Sequence, residues 1–357
     1  MRSALRRRWW LLLAAGLVVL VVILGIRSSR TALYAHLPDP LLHSLATIAP
    51  WDSTPLMILA RRQYQQGWYG AAADYAEEAL ARGQASGECW EVIARGRLER
   101  GDASGALQAA VRALDLSPGL APAHRAVGLA HLALGSRSQA LSALLEATRL
   151  DPQDLEAWES IAAVARGLDN QAWAEATHRL ASAYPDDPDR ACRAAATWLD
   201  IGNAEAALPH AERAIKLAPD MAEAHLLLAS SLLPLNRTQE ARQAAEQALR
   251  LDPDMHLARY VLGQTLLRAG RPDQAIQELK RAQHEMPDFP LVHLELSRAY
   301  FALGQQQEGE AARALYNQAL DRKAQARERG QIVEGSSVSP PPPTNPNARS
   351  MGSPPAP

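Results

Sequence analysis

From residue 53 to about residue 320 the apolar positions fall at helical spacing rather than in strict alternation, in two stripes joined by a short polar turn, and the unit repeats. Small residues set the period. In the first stripe Ala60, Ala94, Gly128, Ala162, Ala195, Ala229, Gly263 and Ser297 recur. In the second, Ala72, Ala106, Ala140, Ala174, Ala207, Ala241 and Ala275 recur, each followed seven residues later by another alanine, from Ala79 to Ala282. Pro118, Pro152, Pro185, Pro219, Pro253 and Pro287 keep intervals of 34, 33, 34, 34 and 34 residues. Between the stripes stand Gly67, Gly101, Gly135, Asp169, Gly202, Asn236, Gly270 and Gly304 on the same beat. A tight link between two helices needs a left-handed residue, which glycine adopts freely and Asn or Asp tolerate best among the others. Each unit therefore reads as helix, turn, helix. Proline closes it, because proline cannot donate the next helical hydrogen bond.

This unit resembles the tetratricopeptide repeat. Counted from Ser53, Gly87, Ala121, Leu155, Pro188, Ala222, His256 and Pro290, the repeats place Trp90 and Trp158 at the family's tryptophan position, Gly128 and Gly263 at its glycine position and Tyr300 at its tyrosine. The first unit lacks the closing proline. In the last, Ala312, Tyr316 and Ala319 stand about three residues late, and Arg313 to Arg329 reads as a charged capping helix. The resemblance implies an all-α fold over residues 53–330, a right-handed α-solenoid of about eight helix-turn-helix repeats, and an apolar run near the amino terminus places one transmembrane helix before it. It also implies a groove lined by positions 2, 5, 9, 12 and 13 of each first helix. The early groove would then be mixed but mostly acidic, with Glu88, Glu91, Arg95, Arg125, Glu156 and Glu159. The late groove would be apolar with a few polar groups. Leu226, Ser230, Leu257, Tyr260, Gln264, Arg268, Leu294, Arg298 and Phe301 are its candidate peptide-binding residues, with Tyr260 and Arg298 as aromatic and cationic anchors. The competing reading is that these apolar side chains fill the space between helices. The Lys and Asn pattern by which some members of the family clamp a terminal carboxylate is absent: position 5 reads Glu91, Arg125, Glu159, Cys192, Leu226, Tyr260 and Leu294.

The flanks differ in character. Trp9 to Ile26 is an uncharged run of eighteen residues, with Arg2, Arg6, Arg7 and Arg8 before it and Arg27 and Arg30 after it. As a helix it would span roughly 27 Å, enough for a bilayer. The expectation is a signal-anchor over residues 9–26, with residues 1–8 cytoplasmic and the repeats extracytoplasmic, on the periplasmic side of a bacterial inner membrane. Residues 27–52, broken by Pro38, Pro40 and Pro50, read as a membrane-proximal linker with one short helix. Residues 331–357, with Pro340 to Pro343 among them, read as a disordered Pro-rich tail.

Composition sharpens this picture. The chain has 357 residues, is rich in Ala and Leu, and contains two Phe and two Cys, which excludes an all-β fold and a disulfide framework. Setting aside the four arginines ahead of the apolar run takes the formal charge from −2 to −6, so no nucleic-acid partner is expected. Cys89 and Cys192 lie three repeats apart and should be free thiols. No phosphate loop, zinc helix, nucleophile elbow or dinucleotide fingerprint occurs, so neither a cofactor, a metal nor an enzyme activity is expected. The reading is a membrane-tethered scaffold that captures a peptide or protein partner in its groove. A constitutive structural subunit of an envelope assembly, or an accessory subunit of an enzyme complex, is the alternative.

Overall fold

The structure, a computed structural model, describes residues 27–328, and every regular element among them is a helix. Two short helices come first, α1 (Arg27–Tyr34) and α2 (Asp39–Ile48). Seven helix pairs follow, with two further helices between the third and fourth: α3 (Thr54–Gln65) with α4 (Tyr69–Ala81), α5 (Gly87–Glu99) with α6 (Ala103–Leu116), and α7 (Ala121–Ala133) with α8 (Arg137–Leu150). Next are α9 (Leu155–Val164) and α10 (Asn170–Ala183), then α11 (Pro188–Asp200) with α12 (Ala204–Leu217). The last are α13 (Ala222–Leu232) with α14 (Thr238–Leu251), α15 (His256–Arg268) with α16 (Pro272–Glu285), and α17 (Pro290–Ala302) with α18 (Gln306–Glu328). The helices form two compact units, one ending at Val164 and one beginning at Ala165. Each is a helical repeat solenoid in which first helices lie beside first helices.

The period works through burial. All fourteen alanines of the second-helix stripe, from Ala72 to Ala275 and from Ala79 to Ala282, have no exposed surface, so the helices of a pair close onto one another over methyl groups. Where even a methyl is too large, glycine takes the place: a Cβ on Gly128 would lie 2.6 Å from Cγ of Leu144, and one on Gly263 would lie 2.5 Å from Cγ of Leu279.

The turns follow the expected beat with one exception. Gly67, Gly101, Gly135, Gly202, Gly270 and Gly304 have φ between 71° and 81°, and Asn236, at 61°, is the non-glycine residue at positive φ among the described residues. Asp169 does not take that role. Gly167, two residues earlier, turns left-handed instead, so α9 stops at Val164 after ten residues where neighbouring first helices run to thirteen. Asp169 becomes the N-cap of α10, its carboxylate accepting from the Ala172 amide at 2.9 Å.

A second repeating device sits at position 4 of the first helix. A donor there reaches back six residues to the carbonyl of the proline that ends the previous repeat. Nε2 of His124, His225 and His293 lies 2.9, 2.8 and 2.8 Å from the Pro118, Pro219 and Pro287 oxygens, and Trp158 Nε1 donates to Pro152 at 3.0 Å. Arg259 donates to Pro253 in the same way at 2.5 Å. Proline has broken the helix at that point, so its carbonyl needs a partner from outside the helical ladder.

Residues 27–52 hold two helices where one was expected. Tyr34 and Leu42 pack on Leu59 of α3 and are buried, while Arg62 reaches the Asp39 carboxylate and Arg82 donates to the Ala46 carbonyl at 2.8 Å. At the other end α18 begins 34 residues after α16, so the register is kept rather than shifted by three. Gly309 occupies the place of Ala275, and Phe301 fills the room its missing Cβ leaves. The capping helix and the last second helix are one element of 23 residues.

The expected fold class is corrected at its first element. No helix among the described residues is long and apolar enough to cross a membrane, so the described fold is the all-α repeat solenoid, and the preceding transmembrane helix of the expected fold class is not supported. The run at residues 9–26, the basic segment before it, the placement of the repeats outside the cytoplasm that rested on them, and the tail at 331–357 lie outside the described residues.

Candidate functional site

In the unit ending at Val164 the first-helix face carries a linked ionic network. Tyr64, on α3, donates to Glu91 on α5 at 2.8 Å, and Arg125 on α7 donates to the Tyr64 hydroxyl oxygen at 3.1 Å. One Arg125 nitrogen spans both oxygens of Asp154, at 2.7 and 2.6 Å, and its Nε stands 3.4 Å from Glu156. Arg95 donates to the other Glu156 oxygen at 2.5 Å and lies over the Tyr69 ring, 4.3 Å from its centre. Glu91, Arg95 and Asp154 are buried. Burial pushes the Glu91 carboxyl above its usual range, against the opposing pull of Tyr64, Arg125 and Arg95. Burial likewise opposes the Arg125 charge, yet Tyr64, Glu156 and Asp154 together hold that guanidinium charged more firmly than usual. The early groove residues are thus largely satisfied by one another. Glu88 differs, sitting exposed in a surface ion pair with Arg61 at 2.8 Å.

The unit beginning at Ala165 holds the nine candidate groove residues. Leu226 and Ser230 lie half-buried on α13, Leu257 and Gln264 half-buried on α15, and Leu294 half-buried on α17. Arg268, Arg298 and Phe301 are exposed. Tyr260 is only 8% exposed, part of the core with Leu262, Leu266 and Leu296, and its ring meets Phe289 edge-on at 5.3 Å. Its hydroxyl accepts from Gln264 at 2.9 Å. Gln264 also donates to the buried Glu295 at 3.1 Å, which accepts from Arg298 at 2.8 Å. Burial raises the Tyr260 phenol well above its ordinary value, with Glu295 adding to it. Arg268 donates to the Leu233 carbonyl of the preceding pair. The structure therefore joins Gln264 and Arg298 through Glu295, with Tyr260 tied in by Gln264, and leaves Leu226, Leu257, Leu294 and Phe301 as the apolar surface beside them.

Sequence reading missed Glu295, Tyr64 and Asp154. Tyr64 stands at position 12 of the first repeat, so the groove spacing itself could have included it. Glu295 and Asp154 lie at positions the spacing does not select, and nothing in the sequence marks them as partners. Cys89 and Cys192 are buried and unpaired, and burial raises their thiols to about 11 and about 12. No cluster of three or more metal-ligating side chains occurs among the described residues.

Tetratricopeptide repeat family models match residues 198–256, 232–293 and 266–331, which supports the resemblance over the late repeats. No curated protein matches the chain by sequence. Among solved structures, Naa15/Naa10 bound to HypK-THB is similar at 17% identity, with a TM-score of 0.53 over 79% of this chain and 44% of that one. The chain thus spans less than half of that protein, and the likeness is one of fold. Two MamA crystal structures are similar at 22% and 20% identity, covering 48% and 56% of this chain and 94% and 97% of theirs, with TM-scores of 0.39 and 0.34.

Proposed function

We propose that this chain is a non-catalytic protein-interaction scaffold whose first-helix face in the later unit, around α13, α15 and α17, takes a peptide segment of a partner. The observation that carries this reading is the row of half-buried Leu226, Leu257 and Leu294 running across three successive first helices beside the cations Arg268 and Arg298. Apolar surface left open beside fixed polar groups suits an amphipathic segment with an acidic group. Tyr260, Gln264 and Glu295 support that surface, because the bonds from Gln264 to the buried Tyr260 and Glu295 tie α15 to α17. The early unit offers less. Glu91, Arg95 and Asp154 are buried and bonded within its network, whereas Arg268 and Arg298 each make one bond to the protein and keep exposed surface.

The test is site-specific photocrosslinking in cells from a photoreactive residue at position 294. The reading expects a discrete adduct that Leu257→Asp abolishes and Glu88→Ala leaves intact, with helicity unchanged in each variant. An adduct that survives Leu257→Asp, or one obtained only from position 88, overturns it.

A further inference from the structure

Two histidines on successive second helices meet where no sequence motif marks them. His178, on α10, and His210, on α12, place Nδ1 and Nε2 at 3.0 Å, with the rings edge to face and their centres 5.1 Å apart. His210 is 7% exposed. A hydrogen bond between two imidazoles needs one nitrogen to donate and the other to accept, so the pair holds together only while at least one ring stays neutral. Protonating both turns the bond into two cations in contact.

The surroundings do nothing to absorb that charge. The charges acting on His210 are those of His178 and, from α12 itself, of Arg213, and both carry the same sign. Arg213 is already committed to the Ala181 carbonyl at the end of α10. On α10 the carboxylate of Glu175 is taken by Arg179 at 2.6 Å. On α11, which packs against both helices, Arg190 faces Asp187 and Tyr184, and Arg193 and Asp189 face Glu223. A metal ion bridging the pair is disfavoured by Arg213 and by the lack of a third ligand among the described residues.

We propose that the His178–His210 pair is an acid-sensitive latch between α10 and α12, closed at neutral pH and released when both rings carry a proton. Burial, then His178, then Arg213 pull the His210 imidazole from an ordinary 6.5 down to about 4. A depressed folded value means that the unfolded or opened chain binds more protons than the closed one. The latch therefore contributes fully above about pH 6.5 and is lost progressively as pH falls toward about 4. Release would loosen the first repeats of the later unit while α14 to α18, which carry no such pair, keep their packing.

Hydrogen exchange of the full chain, read by mass spectrometry at pH 7.5 and pH 5.0 and corrected for intrinsic rates, tests this. Peptides covering residues 170–217 should lose protection by about tenfold or more at pH 5.0, while those covering residues 256–302 change little. His210→Gln, which can hydrogen-bond but not charge, should abolish the difference. Unchanged protection of 170–217 in the wild-type chain, or the same loss in His210→Gln, would overturn the latch. Should the Gln variant unfold at neutral pH, a proton titration of the histidine ring signals in the wild-type chain decides alone. One ring of the pair titrating well below 6 supports the latch, and both titrating near 6.5 sinks it.

Discussion

Glu91 and Arg125 belong to one network and should answer neutralisation in opposite ways. Glu91 is a buried carboxylate whose charge is opposed by its surroundings, and its role toward Tyr64 is that of an acceptor, which an amide oxygen can fill. Glu91→Gln should therefore change stability by less than about 1 kcal/mol. Arg125 is the hub that Tyr64, Asp154 and Glu156 share. Arg125→Met leaves the buried Asp154 carboxylate without its guanidinium and Glu156 with Arg95 alone, and should cost about 3 kcal/mol or more. Urea denaturation midpoints of the two variants check the contrast, and equal losses would mean the network is a surface feature. The position-4 donors act on a smaller scale. Trp158→Phe keeps the ring and removes the bond to the Pro152 carbonyl, so it should cost about 1 kcal/mol in the same measurement.

For elements, the sequence is legible wherever geometry leaves one choice. Alanine every 34 residues on a helical stripe can pack only against another helix at short range, and those alanines are fully buried. The turn before α14 is equally determined: Asn236 is held at φ 61°, a conformation that costs an L-residue and costs glycine nothing. Asn236→Gly should keep or raise the thermal midpoint, and Asn236→Ala should destabilise by about 1 kcal/mol. Legibility fails where two residues compete. Gly167 and Asp169 could each have made the left-handed turn after α9, and glycine took it because aspartate gains more as an N-cap than as a strained turn residue. The candidate site divides in the same way. Helical spacing put Leu226, Leu257 and Leu294 on one face, but spacing alone could not tell that Tyr260 would be drawn into the core by Phe289 and capped by Gln264. That depends on a ring in the loop before α17 and a carboxylate one pair further on.

At the scale of the whole molecule, repeats that touch only their neighbours should be removable one at a time. Deleting Ala222–Met255 removes α13 and α14 and joins Met221 to His256, and both methionines already serve as the N-cap before a first helix. The surface of α12 left behind, with Ala211 and Ala214, matches the Ala245 and Ala248 surface that α15 packed against. On the incoming side Ala258, Gly263 and Leu266 stand where Ala224, Ala229 and Leu232 stood. The shortened chain should stay helical per residue by circular dichroism and unfold cooperatively, with a smaller denaturant slope in keeping with its smaller buried area. Deleting only Ala222–Asn236 keeps α14 but takes away the helix it closes on. The alanine stripe of α14 then meets the surface of α12 that the loss of α13 uncovers, a surface that packs against a first helix and not a second one, and helicity should fall across the later repeats. Equal loss of helicity in the two deletions would show that stability is not shared out repeat by repeat, and that the period in the sequence records a common ancestry of the units without a common, separable energetics.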